Sequence, residues 1–292
     1  MKKTSNANFK KRIKFNPQFN KIYKLLRDNN VSTVCRSARC PNITECFAQK
    51  KVTFMILGDI CTRHCKYCNI APGKPGPVDS TENNRIINII NELKLKYVII
   101  TSVTRDDIEG YGKNEYIDLI KKIRMFSPDI KIELLIPDFH AEARIIEEIA
   151  NTEVEVIGHN IETVFRLWKE IRPTSDLNTT LTTLKLLRKF NKNIILKSGF
   201  MVGLGESKKE IIDLMKFLKD YGVDVITIGQ YFQPSHQNIP VSKFYSDEDF
   251  QYFKEIGNQL GFKYVVSGRF VRSSYFSENY YQILQDKKQN EI

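Results

Sequence analysis

From residue 52 onward, runs of β-branched apolar residues alternate with stretches of helical period, always strand before helix, and this order restricts the fold more than any other feature of the chain. VTFMILG (52–58) leads to a helix near 81–93, YVIITSV (97–103) to one near 114–126, and KIELLI (131–136) to one near 141–150. VEVIG (154–158) leads to helices near 161–168 and 177–190, NIILKSGF (193–200) to one near 207–221, and VITIG (225–229) closes the series. Six strands in βα succession predict an α/β fold with a parallel sheet and right-handed crossovers, curled into a partial (βα)6 barrel of the TIM type. The barrel is expected over residues 51–240, between an N-terminal extension, 1–50, and a C-terminal one, 241–292, that holds a helix near 247–260 and a short run, KYVVSG (263–268).

Functional groups in such a barrel sit on the loops after the strand C-termini. The polar sequences of this chain follow that rule: CTRHCKYC (61–68), TSVTRDD (101–107), HNIET (159–163), GLGE (203–206) and GQYFQPS (229–235) each follow or end a strand. Lys and Arg outnumber Asp and Glu by 45 to 34, a formal charge of +11. That surplus suits an acidic partner, either nucleic acid or an acidic protein. No apolar run reaches the roughly 18 residues that a membrane span needs. MKKTSNANFKKRIKF lacks the apolar core of a secretory signal, so a cytoplasmic location is expected.

The six cysteines fall in two triplets, Cys35, Cys40, Cys46 and Cys61, Cys65, Cys68. In a reducing compartment such clustering points to metal or catalysis rather than to disulfides. A four-iron cubane takes one outer ligand per iron, usually thiolate. Cys61, Cys65 and Cys68 supply three on one tight loop and leave one iron open to a small molecule. A zinc site would use pairs of ligands and needs a fourth, for which His64 inside the loop is the available candidate. The upstream triplet has wider spacing and also lacks a fourth cysteine, since none occurs after residue 68. Its missing ligand must be another side chain or a bound molecule, and the polar RSSY run, Arg272 to Tyr275, stands out beyond the last strand, although a plain hydroxyl-rich turn explains it as well.

C-x3-C-x2-C just after the first barrel strand resembles the radical S-adenosylmethionine superfamily, and C-x4-C-x5-C upstream of it resembles the lipoyl synthase family within that superfamily. TFMILGDICTRHCKYC, TSVTRDD, HNIETVFRL, IRPTSD, LKSGFMVGLGE, TIGQYFQPS and SGRFVRSSY extend the resemblance, in order, over roughly residues 31–275. The resemblance implies two [4Fe–4S] clusters. Cys61, Cys65 and Cys68 would hold the one that binds S-adenosylmethionine, and Cys35, Cys40, Cys46 and Ser274 an auxiliary one that gives its sulfide to carbons 6 and 8 of a protein-bound octanoyl chain. It further implies octanoylated lipoyl carrier domains as partners, of the 2-oxoacid dehydrogenase E2 or glycine-cleavage H type, with a low-potential donor such as ferredoxin or flavodoxin, and neither nucleic acid nor membrane.

Thr101, Ser102, Asn160, Glu162, Arg172 and Lys197 lie on the loop tips where that cofactor should rest, Arg172 and Lys197 being the natural partners of a carboxylate. An ordinary polar cap at a strand end is the competing reading of each. Ser207 after GLGE reads as a helix cap rather than part of a phosphate cradle. Asp106 and Asp107 beside Arg105 read as salt bridges, and Tyr275, Tyr280 and Tyr281 as tail aromatics docked on the barrel. After RSSY the chain runs FSENYY where the family commonly has His and Ala, and APGKPGPVD also departs from the usual loop. Those changes bear on the docking surface and the preferred carrier. Two other readings stay open: a different two-cluster radical sulfur-inserting enzyme, and a non-catalytic iron–sulfur electron carrier or regulator that binds nucleic acid.

Overall fold

Helix starts are written into the chain as capping residues. The side chains of Asn16, Thr33, Asp176, Ser207 and Ser246 each accept from a backbone N–H of the first turn, and Ser207 and Ser246 complete reciprocal capping boxes with Glu210 and Asp249. Such a cap supplies a partner to an otherwise orphaned donor and contributes about 1 kcal/mol. The helices are α1 (Pro17–Asp28), α2 (Val34–Ser37), α3 (Ile43–Ala48), α4 (Glu82–Leu93), α5 (Lys113–Phe126), α6 (Ala143–Ala150), α7 (Trp168–Ile171), α8 (Leu177–Phe190), α9 (Lys208–Asp220), α10 (Asp247–Gln259) and α11 (Ser277–Asn290). The structure, a computed structural model, describes residues 16–290. The basic start read above for a targeting signal lies outside the described residues.

The strands are β1 (Thr53–Ile56), β4 (Tyr97–Ser102), β5 (Lys131–Leu135), β6 (Val156–Gly158), β7 (Ile195–Val202), β8 (Val225–Gln230) and β9 (Tyr264–Gly268), all parallel in the order β1-β4-β5-β6-β7-β8-β9. The remaining two, β2 (Ile60–Cys61) and β3 (Ala71–Pro72), form a small separate pair. One row of the main sheet runs Met55, Thr101, Leu135, Gly158, Lys197, Val225, Tyr264. Among the described residues β9 does not pair back to β1, so the sheet stays an open barrel.

Two expectations are corrected. The parallel sheet has seven strands rather than six, because KYVVSG pairs with β8 from Val225 to Gly229 instead of lying in a separate tail. The helix expected near 161–168 is absent: Glu162 N–H donates to the Gly199 carbonyl and Met201 N–H to the Glu162 carbonyl, which holds this stretch extended beside β7. Helical backbone resumes only at a single turn of 3-10 type, Phe165–Leu167, followed by the short α7.

Helix α11 has a defined place in this fold. Val156, Ile195 and Val225, at the N-terminal ends of β6, β7 and β8, pack with Val266, Tyr280, Tyr281 and Leu284, with Tyr97 and Tyr264 against them. The helix thus closes the floor of the barrel, and the Cys61–Cys68 loop lies at the opposite side, after the C-terminal end of β1.

Candidate functional site

The loop that carries Cys61, Cys65 and Cys68 begins where Leu57 and Gly58, both at positive φ, turn the chain out of β1. Their N–H groups donate to the buried carboxylate of Glu82 on α4, at 2.7 and 3.3 Å. Thr62 N–H donates to the Thr104 carbonyl and Lys66 N–H to that of Ile171. Arg63 anchors the centre. Its side chain is only 6% exposed, donates through Nε and Nη2 to Asp106 at 2.9 Å, and also pairs with Asp138, whose side chain is fully buried. Burial opposes the charge of Asp138, but the hydrogen bonds and charge of Arg63 hold its carboxyl down at about 2. One guanidinium therefore ties the cysteine loop to the tips after β4 and β5. Asp107 pairs instead with Arg105, as the sequence suggested.

The three thiols lie close together, within electrostatic reach of one another. Burial is the largest influence on their pKa values, pushing Cys68 to about 12 and Cys65 upward against the pull of Arg172. Cys61 Sγ accepts from the N–H groups of Arg63 and Thr104, and Cys68 Sγ from that of Ile70, each at 3.4 Å. Backbone donors aimed at sulfur suit thiolate bound to iron, and burial makes iron the agent that must displace the protons. Among the described residues no three His, Cys, Asp or Glu side chains are grouped as around one metal ion. A cubane asks for no such convergence, because each thiolate binds a different iron.

Three of the six expected cofactor contacts gather beside Cys65. Arg172 stacks 4.6 Å from the Trp168 ring and hydrogen-bonds to Cys65, while its Nε and Nη1, both buried, have no partner among the described residues. Glu162 is held at positive φ and hydrogen-bonded to Asn160 and Tyr67, and burial raises its pKa against the attraction of Arg172. Asn160 Oδ1 and His159 Nε2 are likewise buried without partners. The His159 Nδ1 contact of 2.9 Å is with a carbonyl, so Nδ1 carries the proton and Nε2 presents a lone pair. Unpaired donors and acceptors in a dry cavity are costly unless a ligand completes them. A guanidinium near a carboxylate that is itself beside an unpaired amide oxygen suits the two ends of an α-amino acid.

The other three are placed differently. Thr101 donates to the Leu135 carbonyl at 2.9 Å, as the Tyr116 hydroxyl does at 3.2 Å, and Ser102 Oγ beside them is buried with no partner among the described residues. Lys197 is a clear correction: its ammonium binds Glu133 at 2.6 Å, the Ser273 carbonyl and the Ser277 hydroxyl at the barrel floor, leaving no free donor for a cofactor carboxylate.

The upstream triplet is built on α2 and α3. Thr33 caps the helix that carries Cys35, Cys40 lies in the connecting turn, and Cys46 is on α3. The RSSY segment meets it from the far end of the chain. Asn42 donates to the Phe270 carbonyl at 2.6 Å, Tyr275 to Glu45 at 3.2 Å, and Arg272, half-buried, lies within electrostatic reach of Cys40. A cation beside thiolates suits an anionic cluster. Gly229 allows this approach, since a Cβ there would meet the Val271 carbonyl oxygen at 2.2 Å. Ser274 is half-buried in the same turn, and its neighbour Ser273 accepts from Asn160 at 2.6 Å. Arg63, Asp138, Tyr67 and Glu133 were missed from sequence. A lone glutamate within the apolar run KIELLI was the signal for the last.

The sequence pattern of the radical SAM superfamily matches residues 55–229. A lipoyl synthase from Caldicellulosiruptor saccharolyticus is 43% identical over 273 residues, covering 94% of this chain and 96% of its own. One from Pseudomonas fluorescens is 44% identical over 268 residues, covering 91% and 79%. Among solved structures, methylornithine synthase superposes with a TM-score of 0.53 at 10% identity over 80% of each chain. The hydrogenase maturase HydG superposes at 0.56 and 17% identity over 71% of this chain and 49% of its own. These distant likenesses concern the fold alone.

Proposed function

The chain belongs to the lipoyl synthase family of the radical S-adenosylmethionine superfamily, and from that premise we propose how its residues divide the work. The enzyme inserts two sulfur atoms at carbons 6 and 8 of a protein-bound octanoyl group. Cys61, Cys65 and Cys68 would hold a [4Fe–4S] cluster, the group that binds S-adenosylmethionine. When bound and reduced, that pair supplies a 5′-deoxyadenosyl radical able to take hydrogen from an unactivated alkyl carbon.

The side chains around it bind and orient. Arg172 takes the cofactor's carboxylate, with Asn160 and Glu162 at its amino group. The observation that carries this assignment is the pair of unpartnered guanidinium nitrogens on Arg172, fixed over Trp168 beside Cys65. Thr101 and Ser102 shape the adjoining wall. Cys35, Cys40 and Cys46, with Ser274 as fourth ligand, hold the auxiliary cluster that is consumed as sulfur source. A serine oxygen is a harder and weaker ligand for iron than thiolate, so Ser274 would hold its iron less firmly than the three cysteines hold theirs. Within the extensions, 1–50 and 241–292, the Cys35–Cys46 segment and the RSSY turn then act together as the sulfur store beside the barrel of 51–240, to which β9 adds a strand.

The partners are octanoylated lipoyl carrier domains, suited by the +11 charge, and electrons come from a low-potential donor such as ferredoxin or flavodoxin. No helix among the described residues is long and apolar enough to cross a membrane, and six free cysteines suit a reducing cytoplasm.

Anaerobic reconstitution followed by turnover with an octanoylated lysine peptide and a low-potential reductant tests the reading. 5′-Deoxyadenosine and a product heavier by two inserted sulfurs are expected, and the absence of both rejects it. For the serine, Ser274→Cys should retain a cluster but lose sulfur insertion. Normal product from that variant removes Ser274 from the scheme.

A further inference from the structure

Two charges are buried in the interior of the sheet, Glu133 in β5 and Lys197 in β7, and each side chain is only 2% exposed. They meet at 2.6 Å across the barrel interior. Such a pair costs desolvation, and apolar residues of similar volume stabilise a core at least as well. Its contacts beyond the barrel give it a reason to exist. The Lys197 ammonium also donates to the Ser273 carbonyl and, at 3.1 Å, to the Ser277 hydroxyl, and it lies 4.8 Å from the centre of the Tyr280 ring. The Glu133 carboxylate accepts from Tyr280 at 2.5 Å, Tyr97 at 2.7 Å and Ser277 at 3.2 Å. Most of the pair's partners therefore belong to residues 273–280, the turn that contains Ser274 and the first turn of α11.

We propose that the Lys197–Glu133 pair is a positioning device for Ser274, holding the RSSY turn against the Cys35–Cys46 segment from the floor of the barrel. The inference rests on the reading of Ser274 as a cluster ligand. Ser273, immediately before it, is gripped twice: Lys197 holds its carbonyl and Asn160 its hydroxyl. On the other side Tyr275 is tied to Glu45, next to Cys46. Ser274 thus lies between two fixed residues, and as a ligand it would need no ordering of a loose tail. Through Asn160 the same turn is linked to Glu162 and hence to the wall beside Cys65. The pair acts through backbone and hydroxyl contacts and touches no reacting atom.

The test compares full-length wild type with Lys197→Met, Tyr280→Phe and Ser274→Ala. Amide exchange over residues 273–286 is read in the chain before and after cluster loading, together with iron content, the spectroscopic signature of each cluster, and 5′-deoxyadenosine formation. Lys197→Met should speed exchange there roughly a hundredfold and Tyr280→Phe roughly tenfold. Iron should fall from two clusters' worth toward one, with the auxiliary signature lost and 5′-deoxyadenosine still formed. Unchanged exchange in both variants overturns the proposal, and so does equal loss of both clusters, the mark of a merely structural role. If exchange rises but the auxiliary cluster stays full while Ser274→Ala loses it, the positioning role is wrong and Ser274 remains the ligand. If Ser274→Ala also keeps the cluster, the ligand reading itself fails and the proposal with it. Should Lys197→Met not fold, Tyr280→Phe, which removes one hydroxyl, decides the matter.

Discussion

The two cysteine triplets look alike in sequence and are built on opposite plans. Cys61, Cys65 and Cys68 lie on one short loop that a single buried guanidinium, Arg63, fastens to two neighbouring strand tips. Cys35, Cys40 and Cys46 sit on two short helices and the turn between them, outside the sheet, and their surroundings are completed by Arg272 and Tyr275, more than 200 residues away. The first site is local and inherits its rigidity from the barrel. The second depends on a long-range closure that brings the segment of residues 35–46 against that of 270–275. This suits their proposed tasks, since a radical generator must be reused unchanged, whereas a sulfur store must be opened and rebuilt.

The comparison breaks most sharply at the ligands. Cys65→Ser should abolish both cofactor cleavage and sulfur insertion, by about a thousandfold or more. Cys40→Ser should abolish sulfur insertion alone and leave 5′-deoxyadenosine formation running. Product analysis of the two variants side by side checks this, and identical phenotypes would merge the two sites into one.

Arg63→Met should come next. It leaves Asp138 buried and unpaired, a cost of about 3–5 kcal/mol in chemical denaturation, and it should loosen the first cluster while sparing the second. Equal stability of variant and wild type would show that the barrel tips hold the loop without it.

His159 separates the sites by pH. Burial lowers its pKa from 6.5 to about 4 in the folded chain, so the unfolded chain binds the proton first as pH falls. The stability tied to a neutral His159 is complete above pH 6.5 and drains away down to about pH 4, by about 3 kcal/mol in total. A His159→Gln variant measured over this window should lack that component. Parallel curves for the two proteins would refute it.

The smallest effect expected is on affinity. Arg172→Lys keeps the charge but loses the planar fork and the stack on Trp168, and should weaken binding of S-adenosylmethionine roughly tenfold. Equilibrium binding to the reconstituted protein measures this, and unaltered affinity would move the carboxylate partner elsewhere.

Much of this was legible from the residues. The strand-then-helix order gave the parallel sheet because burial between helices demands apolar runs, and a turn must supply its own caps, as Ser207 does. The spacing of Cys61, Cys65 and Cys68 is a local property and was readable for the same reason. The helix expected near 161–168 failed because a local period cannot register that Glu162 is captured by Gly199 and Met201 of another strand. KYVVSG could not be assigned to the sheet from its own residues, since pairing is decided by the neighbouring strand.

Lys197 makes the boundary plain. By sequence it is a cation at a strand end beside an expected carboxylate, and that is all its neighbours in the chain can say. Tertiary structure gave it Glu133, Ser273 and Ser277 instead. The chain by itself determined which chemistry it carries, because ligand type and short spacing are local. Only the fold decided which charges face the cofactor and which lock the barrel floor, because a buried charge takes its role from whatever partner the packing brings within 3 Å or so.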